Sequence, residues 1–275
     1  MKVEYEKISL EEAKSIMLLI LKEVDRICKE NDINYWLISG TLLGAIRHKG
    51  FIPWDDDIDI AMLREDFEKF KEIAKLKIKE DFYLEAFDLE DIFKGMPLKI
   101  RAKDTIYIEK WDNKNSKKKG IFIDAFPFDR FSLNKKELKK ELFPKYLYQL
   151  KTMRFWVKGL TIKNILKAIV IVILKLIPNK YIIYLNKKYY LKSLLMKNNV
   201  LIGFGYGLTW RRVYNYWDIF PLKKAEFEKY YFPIPNNYDK VLKISFGNYM
   251  VVPDEKDRKN HSACIMKKLG KWEIK

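Results

Sequence analysis

The spacing of apolar residues divides the first 130 residues into helices and strands. Ser9 and Glu12 stand at the spacing of a helix-capping box, and an apolar stripe of helical period follows to about Glu30. Predicted strands span residues 35–39, 57–63, 82–87, 98–102, 106–109 and 121–126, with helices from Thr41 and from Arg64 to Lys79. Strands interspersed with helices predict an α/β (α+β) fold in which helices cover a mixed sheet.

A different pattern occupies the middle of the chain, where one helix is almost wholly apolar. Residues 162–177 have a helical period, and Pro178 ends it. The longest run without charge, 168–174, has seven residues, far fewer than the ~20 that span a bilayer. We expect this helix to lie in a membrane interface, and a core helix whose lysines extend to solvent is the alternative. Its polar residues fall within about 120° of the helical wheel; they are Lys163, Asn164, Lys167 and Lys175.

Positive charge is concentrated in the same part of the chain. The 275 residues include 54 basic and 37 acidic ones, for a formal charge of +17. The segment 131–199 contains sixteen basic residues and only two acids, Glu137 and Glu141. It therefore carries +14 of the total charge. We predict a catalytic core at 1–130, a helical basic insertion at 131–199, and a C-terminal part at 200–275 that completes the active site.

Such an excess of positive charge indicates an anionic partner. Nucleic acid, a phospholipid surface and a phosphorylated substrate are the classes it fits. No nucleic-acid-binding motif accompanies the charge, so we expect no nucleic acid and favour an anionic membrane surface that meets 131–199. Cys28 and Cys264 lack the CxxC spacing, which argues against a disulfide scaffold. Residues 1–12 contain no apolar run, so we expect no signal peptide and a cytoplasmic protein, peripheral on the cytoplasmic membrane face.

Two acidic residues with strand spacing supply the first candidate chemistry. In a strand, Asp57 and Asp59 would point to one face while Ile58 and Ile60 point into the core. Carboxylates about 7 Å apart on one strand face can share a hard cation such as Mg²⁺, with Mn²⁺ as a second option. A solvated acidic turn is the alternative. A calcium loop of the EF-hand type is rejected, because its sixth and twelfth positions would be Ile60 and Asp66 instead of Gly and Glu.

Residues that suit an anion precede this acidic pair. Ser39 and Gly40 lie between a predicted strand and a helix start, where free N–H groups and the helix dipole favour phosphate. Arg47, His48 and Lys49 add three potential cations. Each feature alone is typical of an ordinary turn or solvated loop. Together, basic groups beside a carboxylate pair are what binding of a metal-bridged diphosphate requires.

Asp124 is the one charged residue in the predicted strand 121–126. An unpaired buried carboxylate would cost several kcal/mol, so it needs a cation or a group of hydrogen-bond donors. A third metal-binding carboxylate beside Asp57 and Asp59 satisfies this need. A salt bridge to an arginine satisfies it equally.

Three segments together resemble a known family. They are SGTLLGAIRHKGFIPWDDDIDIAMLREDF (39–67), FIDAFPFD (122–129) and YYFPIPNNYDKVLKISFGNYMVVPDEKDRKNH (230–261). They closely resemble the motifs of the LicD family, related to the fukutin group, which has a nucleotidyltransferase-like fold. The resemblance covers roughly 31–130 and 218–261, and 131–199 shows no match. The two histidines of the chain, His48 and His261, both fall in these segments.

The resemblance implies roles for particular residues. Asp57 and Asp59 would hold Mg²⁺, with Asp124 as the third carboxylate of the metal site. Asp124 or His261 would take the proton from an attacking hydroxyl. The donor pocket and its surroundings would comprise Ser39, Gly40, Arg47, His48, Lys49 and Arg258. Candidates for cation–π contact with a quaternary ammonium are Trp54, Trp111, Tyr206, Trp210 and Trp217, for each of which an ordinary core or surface role is the alternative.

The resemblance also implies a reaction. Proteins of this family move a phospho-alcohol, typically phosphocholine from CDP-choline, onto a sugar hydroxyl. We therefore expect Mg²⁺-dependent transfer to a cell-surface glycan, such as lipopolysaccharide or teichoic acid, or to its lipid-linked precursor. The alternatives are the same fold with CDP-ribitol, CDP-glycerol or another nucleotide donor, a nucleotidyltransferase proper, and a non-catalytic membrane-associated binding protein. The acidic residues Asp57, Asp59 and Asp124 count against the last of these.

Overall fold

Helices and strands follow the apolar pattern closely. The computed structural model describes residues 4–85, 98–110, 119–152, 161–197, 200–205, 212–258 and 260–272. The helices are α1 (Leu10–Glu30), α2 (Ser39–His48), α3 (Arg64–Lys77), α4 (Lys135–Thr152), α5 (Ile162–Leu176), α6 (Asn179–Leu194), α7 (Tyr216–Ile219) and α8 (Tyr238–Phe246). The strands are β1 (Tyr5–Lys7), β2 (Trp36–Leu37), β3 (Asp59–Leu63), β4 (Phe82–Leu84), β5 (Leu98–Ala102), β6 (Thr105–Glu109), β7 (Phe122–Phe131), β8 (Leu201–Phe204), β9 (Val213–Asn215), β10 (Lys223–Phe227), β11 (Tyr230–Ile234) and β12 (Ser262–Lys268).

The chain divides into two units. Residues 1–87, 97–126 and 217–275 form the first, which we call the body. Residues 88–96 and 127–216 form the second, which we call the helical unit. The proposed functional division at residues 130 and 199 stays a prediction.

The main sheet of the body has the strand order β2-β3-β7-β5-β4. β2 is antiparallel to β3, and β5 is antiparallel to both β4 and β7. α1 packs against α3 and β5, and its buried stripe includes Ile16, Ile20 and Val24. The predicted capping box is confirmed, because the Ser9 side chain accepts from the Glu12 N–H while the Glu12 carboxylate accepts from the Ser9 N–H.

The C-terminal strand returns to the body and forms a second sheet. β12 lies between β1 and β6 and is antiparallel to both. A β10–β11 hairpin packs beside α2, and α8 contacts the same helix. The segment that precedes β12 therefore belongs to the same unit as α2 and β3, although it lies about 200 residues further along the chain.

In the helical unit, α4 packs against both α5 and α6. Residues Phe128–Phe131 of β7 pair with β8, and β8 pairs with β9. Among the described residues no single helix is long and apolar enough to cross a bilayer. By length and composition α5 and α6 meet that criterion as a pair, but they are bent by 90°.

The α+β fold with a helix-covered sheet is confirmed, and most differences concern the ends of elements. The helix from Arg64 ends at Lys77, and the strand from residue 82 ends at Leu84. One difference bears on function: the strand predicted from Asp57 begins at Asp59. Asp57 therefore lies in the irregular segment before β3. The alternation nevertheless holds, since Ile58 and Ile60 are buried.

Candidate active site

The first turn of α2 forms one wall of the site. Ser39 and Gly40 lie inside the helix instead of in the turn before it, and no side chain caps the helix at Ile38. Ser39 has a φ of +51°, a left-handed conformation that is uncommon outside glycine. Gly40 packs against Asp55 so closely that a Cβ atom there would lie 2.5 Å from the Asp55 Oδ2. A larger residue at position 40 would therefore displace this carboxylate.

Backbone hydrogen bonds fix the start of β3 against its neighbours. The Asp59 N–H donates to the Thr41 Oγ1 at 2.8 Å, and the Asp59 carbonyl accepts from the Ile38 N–H at 3.1 Å. On the other side, the Asp124 N–H donates to the Ile58 carbonyl at 2.8 Å. The tertiary structure thus brings Asp124 beside the acidic segment that precedes β3, as the sequence predicted.

The pKa values of Asp59 and Asp55 are raised by burial and by neighbouring carboxylates. Burial, then the neighbouring carboxylates of Asp57, Asp124 and Asp55, raises the pKa of Asp59 well above its ordinary value. Burial, then Asp57 and Asp56, raises the pKa of Asp55 to about 7. Neighbouring groups of like charge favour a cation or a proton between them.

Asp124 also has a cationic partner of its own. The Lys99 Nζ lies 2.9 Å from its Oδ1 and 3.1 Å from its Oδ2. The pairing follows from the sheet register, since Lys99 of β5 stands opposite Asp124 of β7. Burial nevertheless raises the pKa of Asp124 to about 6, against the opposing effect of Lys99. The salt-bridge alternative is thus realised with a lysine, and the role of Asp124 as a metal ligand stays a prediction.

Asp56 connects the acidic segment to the segment before β12. Its carboxylate is fully buried and accepts from the backbone N–H groups of His261 and Ser262, at 2.9 and 2.6 Å, and from the Tyr107 hydroxyl at 2.8 Å. Burial alone would raise the pKa of Asp56, but the hydrogen bonds from His261 and Ser262 outweigh it and hold the pKa below its ordinary value. Asp56 is therefore a buried, ionised anchor.

This anchor places His261 beside the carboxylates. The His261 Nδ1 lies 3.6 Å from the Asp57 Oδ2 and 3.7 Å from the Asp56 Oδ1. The nearby Asp57 carboxylate raises the pKa of His261, against the smaller effect of its partial burial. The protonated imidazole is thereby favoured.

A second set of predicted residues forms a contiguous row. The Arg47 Nε donates to the His48 Nε2 at 2.9 Å, and the His48 ring packs edge-on to Trp54 at 6.5 Å between centroids. The Arg258 guanidinium lies 4.5 Å from the centre of the Trp54 ring. Lys49 is not part of this row: it ends α2, is exposed, and lies 3.8 Å from Glu226. Arg47, His48, Trp54 and Arg258 therefore lie together, and Lys49 lies apart from them.

The aromatic candidates separate in the same way. The Trp54 ring already carries a cation, the Arg258 guanidinium, on its face. Trp217 is 59% exposed. Trp111, Tyr206 and Trp210 lie outside the described residues. Trp54 is thus the aromatic side chain that the structure places among the predicted site residues.

The donor set of Asp57 and Asp59 suits a hard divalent cation. Carboxylate oxygens are the ligands of Mg²⁺, which in phosphoryl transfer is usually held by one or two carboxylates, water and substrate phosphates. Burial, and after it the carboxylates of Asp57, Asp124 and Asp55, raises the pKa of Asp59, and a cation would offset the repulsion among these groups. Over the described parts of the chain, no group of three or more His, Cys, Asp and Glu side chains is arranged to hold a metal ion.

Sequence reasoning missed four residues that the structure places in the site. Asp55 and Asp56 adjoin Asp57 in the sequence, and the run of three acids was the available signal. The Thr41 hydroxyl carried no such signal. Lys99 could have been found from the alternation of Lys99 and Arg101 along β5, which places both on one face of the strand.

Comparison with known proteins agrees with these observations. The model of the LicD/FKTN/FKRP nucleotidyltransferase domain matches residues 32–162. The lipopolysaccharide cholinephosphotransferase LicD of Haemophilus influenzae is 30% identical over 271 residues, which cover 93% of this chain and 96% of that protein. This chain belongs to the LicD family. Ribitol 5-phosphate transferase FKRP of human and mouse is 53% identical over 34 residues, which cover 12% of this chain and 7% of that protein.

Membership of the LicD family confirms the resemblance seen in the sequence. Members of the family are phosphotransferases, so the chain is an enzyme and not a non-catalytic binding protein. The matched domain contains both Asp57 and Asp59 and extends through Asp124 into α5. The assignment of individual residues to metal, donor and proton transfer stays a prediction.

Proposed function

We propose that the protein transfers phosphocholine from CDP-choline to a hydroxyl of a cell-surface glycan or of its lipid-linked precursor. The observation that carries the proposal is the group of carboxylates that surrounds the start of α2 and β3, with His261 held beside it. The LicD relative of Haemophilus influenzae, named a lipopolysaccharide cholinephosphotransferase, supports this choice of donor and acceptor.

Asp57 and Asp59 would hold a divalent cation, Mg²⁺ first and Mn²⁺ second, with the carboxylate of Asp124 beside them. Such a cation, when bound, neutralises the charge of a donor diphosphate and stabilises the leaving nucleotide. The first-turn N–H groups of α2, with Arg47 and His48 from the last turn of that helix, would bind and orient the anionic donor.

Asp124 and His261 would have different roles in proton transfer. Asp124, with a pKa raised to about 6, is suited to accept the proton of the sugar hydroxyl, because a general base works best with a pKa near the operating pH. Its salt bridge leaves lone pairs for a further donor, since a carboxylate accepts about four hydrogen bonds. His261, whose pKa the Asp57 carboxylate raises, is suited to donate to a phosphate oxygen in its protonated form.

The test is a donor panel with the purified full chain. CDP-choline, CDP-ribitol, CDP-glycerol and UDP-glucose are each incubated with Mg²⁺ and a glycan acceptor, and CMP or UMP release is measured. We expect release of CMP from CDP-choline only when cation and acceptor are both present. Equal turnover of the uridine donor, or undiminished turnover with EDTA, would contradict the proposal. Mass spectrometry of surface glycans from cells with and without the protein then identifies the acceptor.

A second candidate donor is CDP-ribitol, favoured by the matches to ribitol 5-phosphate transferases. The two donors differ in charge, because choline is a quaternary ammonium and ribitol is neutral. If choline packs on Trp54, Trp54→Ala should lower kcat/KM for CDP-choline by about tenfold, as expected for a cation–π contact of 1–2 kcal/mol. Turnover of CDP-ribitol should change much less. An equal loss for both donors would remove Trp54 from alcohol recognition.

A further inference from the structure

One face of α5 leaves large apolar side chains in solvent. Ile171 and Leu174 of this helix are buried in the helical unit, at 3% and 6% exposure. The exposed residues, which we call the apolar face, are Ile165, Leu166, Ile169, Val170, Val172, Ile173 and Leu176. A contiguous exposed patch of this kind marks an interaction site for a membrane or a protein.

The next helix also exposes large side chains that are wholly or partly apolar. α6 follows after a 90° bend, and its exposed residues include Tyr181, Tyr184 and Leu191. Tyrosine has an apolar ring and a polar hydroxyl, which suits it to the boundary between lipid and water. The two helices therefore present aliphatic and amphipathic side chains on consecutive segments.

The charge of the segment is complementary to an anionic surface. Its two acids are already engaged, since Glu141 is buried and accepts from Lys192 at 2.9 Å, and Glu137 accepts from Lys140 at 2.8 Å. Residues 131–199 carry a net charge of +14, a value that already includes these two acids. Exposed lysines that contribute to it are Lys175, Lys180, Lys187, Lys188 and Lys197.

We propose that the apolar face of α5, with α6, docks in the interface of an anionic lipid bilayer. The 15 residues of α5 span about 22 Å, short of the ~30 Å hydrocarbon core, so the helix would lie along the surface. Aliphatic side chains beside lysines favour lipid over nucleic acid, which would leave the apolar face in water. The inference does not depend on the identity of the donor or acceptor.

Docking on the bilayer would affect how the enzyme finds its acceptor. An enzyme held at the membrane reaches a lipid-linked acceptor by a search in two dimensions, without extracting that acceptor from the bilayer.

The experiment is co-sedimentation of the full chain with vesicles, without nucleotide. Vesicles of phosphatidylcholine alone are compared with vesicles that contain 30% phosphatidylglycerol, at low and high salt. We expect binding to need the anionic lipid and to weaken, without vanishing, at high salt. No binding to anionic vesicles at low salt would overturn the proposal.

Two sets of variants separate the apolar and the electrostatic contributions. Ile169→Asn with Ile173→Asn should abolish the salt-resistant binding, and Leu76→Asn, at a residue of α3 that is 87% exposed, is the matched control that should bind like wild type. Lys187→Glu with Lys188→Glu should weaken binding at low salt by at least about 25-fold, since each of the two basic residues contributes about fivefold. Lys223→Glu with Lys224→Glu, a similarly exposed pair on β10, should weaken it less.

Three results would overturn the proposal, and two of them would assign the surface to another partner. Undiminished vesicle binding by the Ile169/Ile173 variant overturns the proposal, as does salt-sensitive binding of RNA or DNA that excludes vesicles. Concentration-dependent dimerisation that the same variant abolishes, without vesicle binding by wild type, would assign the face to a second copy of the chain. Circular dichroism and melting curves check that the variants are folded, and turnover of a soluble acceptor reports the enzyme activity separately.

Discussion

The body and the helical unit each depart from the usual distribution of side chains, in which charged groups are solvated and large apolar groups are buried. In the body, the partly buried carboxylates of Asp55, Asp59 and Asp124 lie near one another, and burial and like charge raise their pKa values. In the helical unit, aliphatic side chains such as Ile173 are exposed to solvent. Buried like charges destabilise the folded state, whereas exposed apolar groups cost little stability but favour association. The comparison teaches that each region deviates where it is expected to meet a ligand: a cation and a diphosphate in the body, and a lipid surface in the helical unit.

The largest expected effect tests the hypothesis that Asp57 and Asp59 are catalytic. Asp57→Asn or Asp59→Asn should lower kcat by about a thousandfold or more while the fold survives, because stabilisation of developing charge is typically the largest catalytic contribution. Initial rates of CMP release, with melting curves as the folding control, measure this. If both variants kept more than a tenth of the activity, the loss would be below ~1.4 kcal/mol and the assignment would be wrong.

The next effect separates anchoring from catalysis among the buried acids. Asp56→Asn should lower the free energy of unfolding by about 3 kcal/mol, because it removes the charge that accepts hydrogen bonds from His261, Ser262 and Tyr107. Tyr107→Phe removes one of these bonds and should cost about 1 kcal/mol. Urea unfolding measures both. Unchanged stability of the Asp56 variant would show that this carboxylate does not hold the segment before β12.

A pH series tests whether the other carboxylates strain the fold. For an acid whose folded pKa is raised, the folded state binds more protons, so its stability falls as pH rises from the unfolded pKa through the folded pKa. For Asp55 that window runs from about 4 to about 7. Without divalent cations the chain should therefore lose stability between these pH values, and Asp55→Asn should reduce the loss. At pH 8 the free energy of unfolding of the variant should exceed that of wild type by about 2 kcal/mol. The rise in the pKa of Asp55 corresponds to at most about 4 kcal/mol.

Melting curves from pH 5 to 8 in EDTA measure this dependence. Acids outside the cluster titrate equally in wild type and variant, so the difference between the two curves isolates Asp55. A variant that is less stable than wild type at pH 8 would contradict the interpretation that the cluster is strained.

The smallest effect sharpens the description of the helical unit. Ile173→Ala, at a residue that is 54% exposed, should change the free energy of unfolding by less than about 0.5 kcal/mol. Ile171→Ala, two residues away and 3% exposed, should cost about 2–4 kcal/mol because it leaves a cavity. Urea unfolding of the pair compares them directly. Equal losses would mean that the apolar face is packed in solution.

Local patterns in the sequence determined much of the fold. The capping box of α1, the extent of β5 and the helix at 162–176 follow from side-chain spacing and from interactions within a few residues. The acidic pair and Asp124 also stood out, because charges in apolar strands are costly and few. Such signals are local, so a single chain segment carries them.

Tertiary structure alone decided which of these groups meet. Asp56 is an anchor because the N–H groups of His261 and Ser262 reach it from about 205 residues away, and Asp124 pairs with Lys99 because β5 and β7 are in that register. Similarly, the period of α5 predicted a helix, but packing decided that Ile171 is buried and Ile173 exposed. The physical reason is the same in each case: burial, pKa and pairing depend on neighbours in space, and local spacing along the chain does not specify those neighbours.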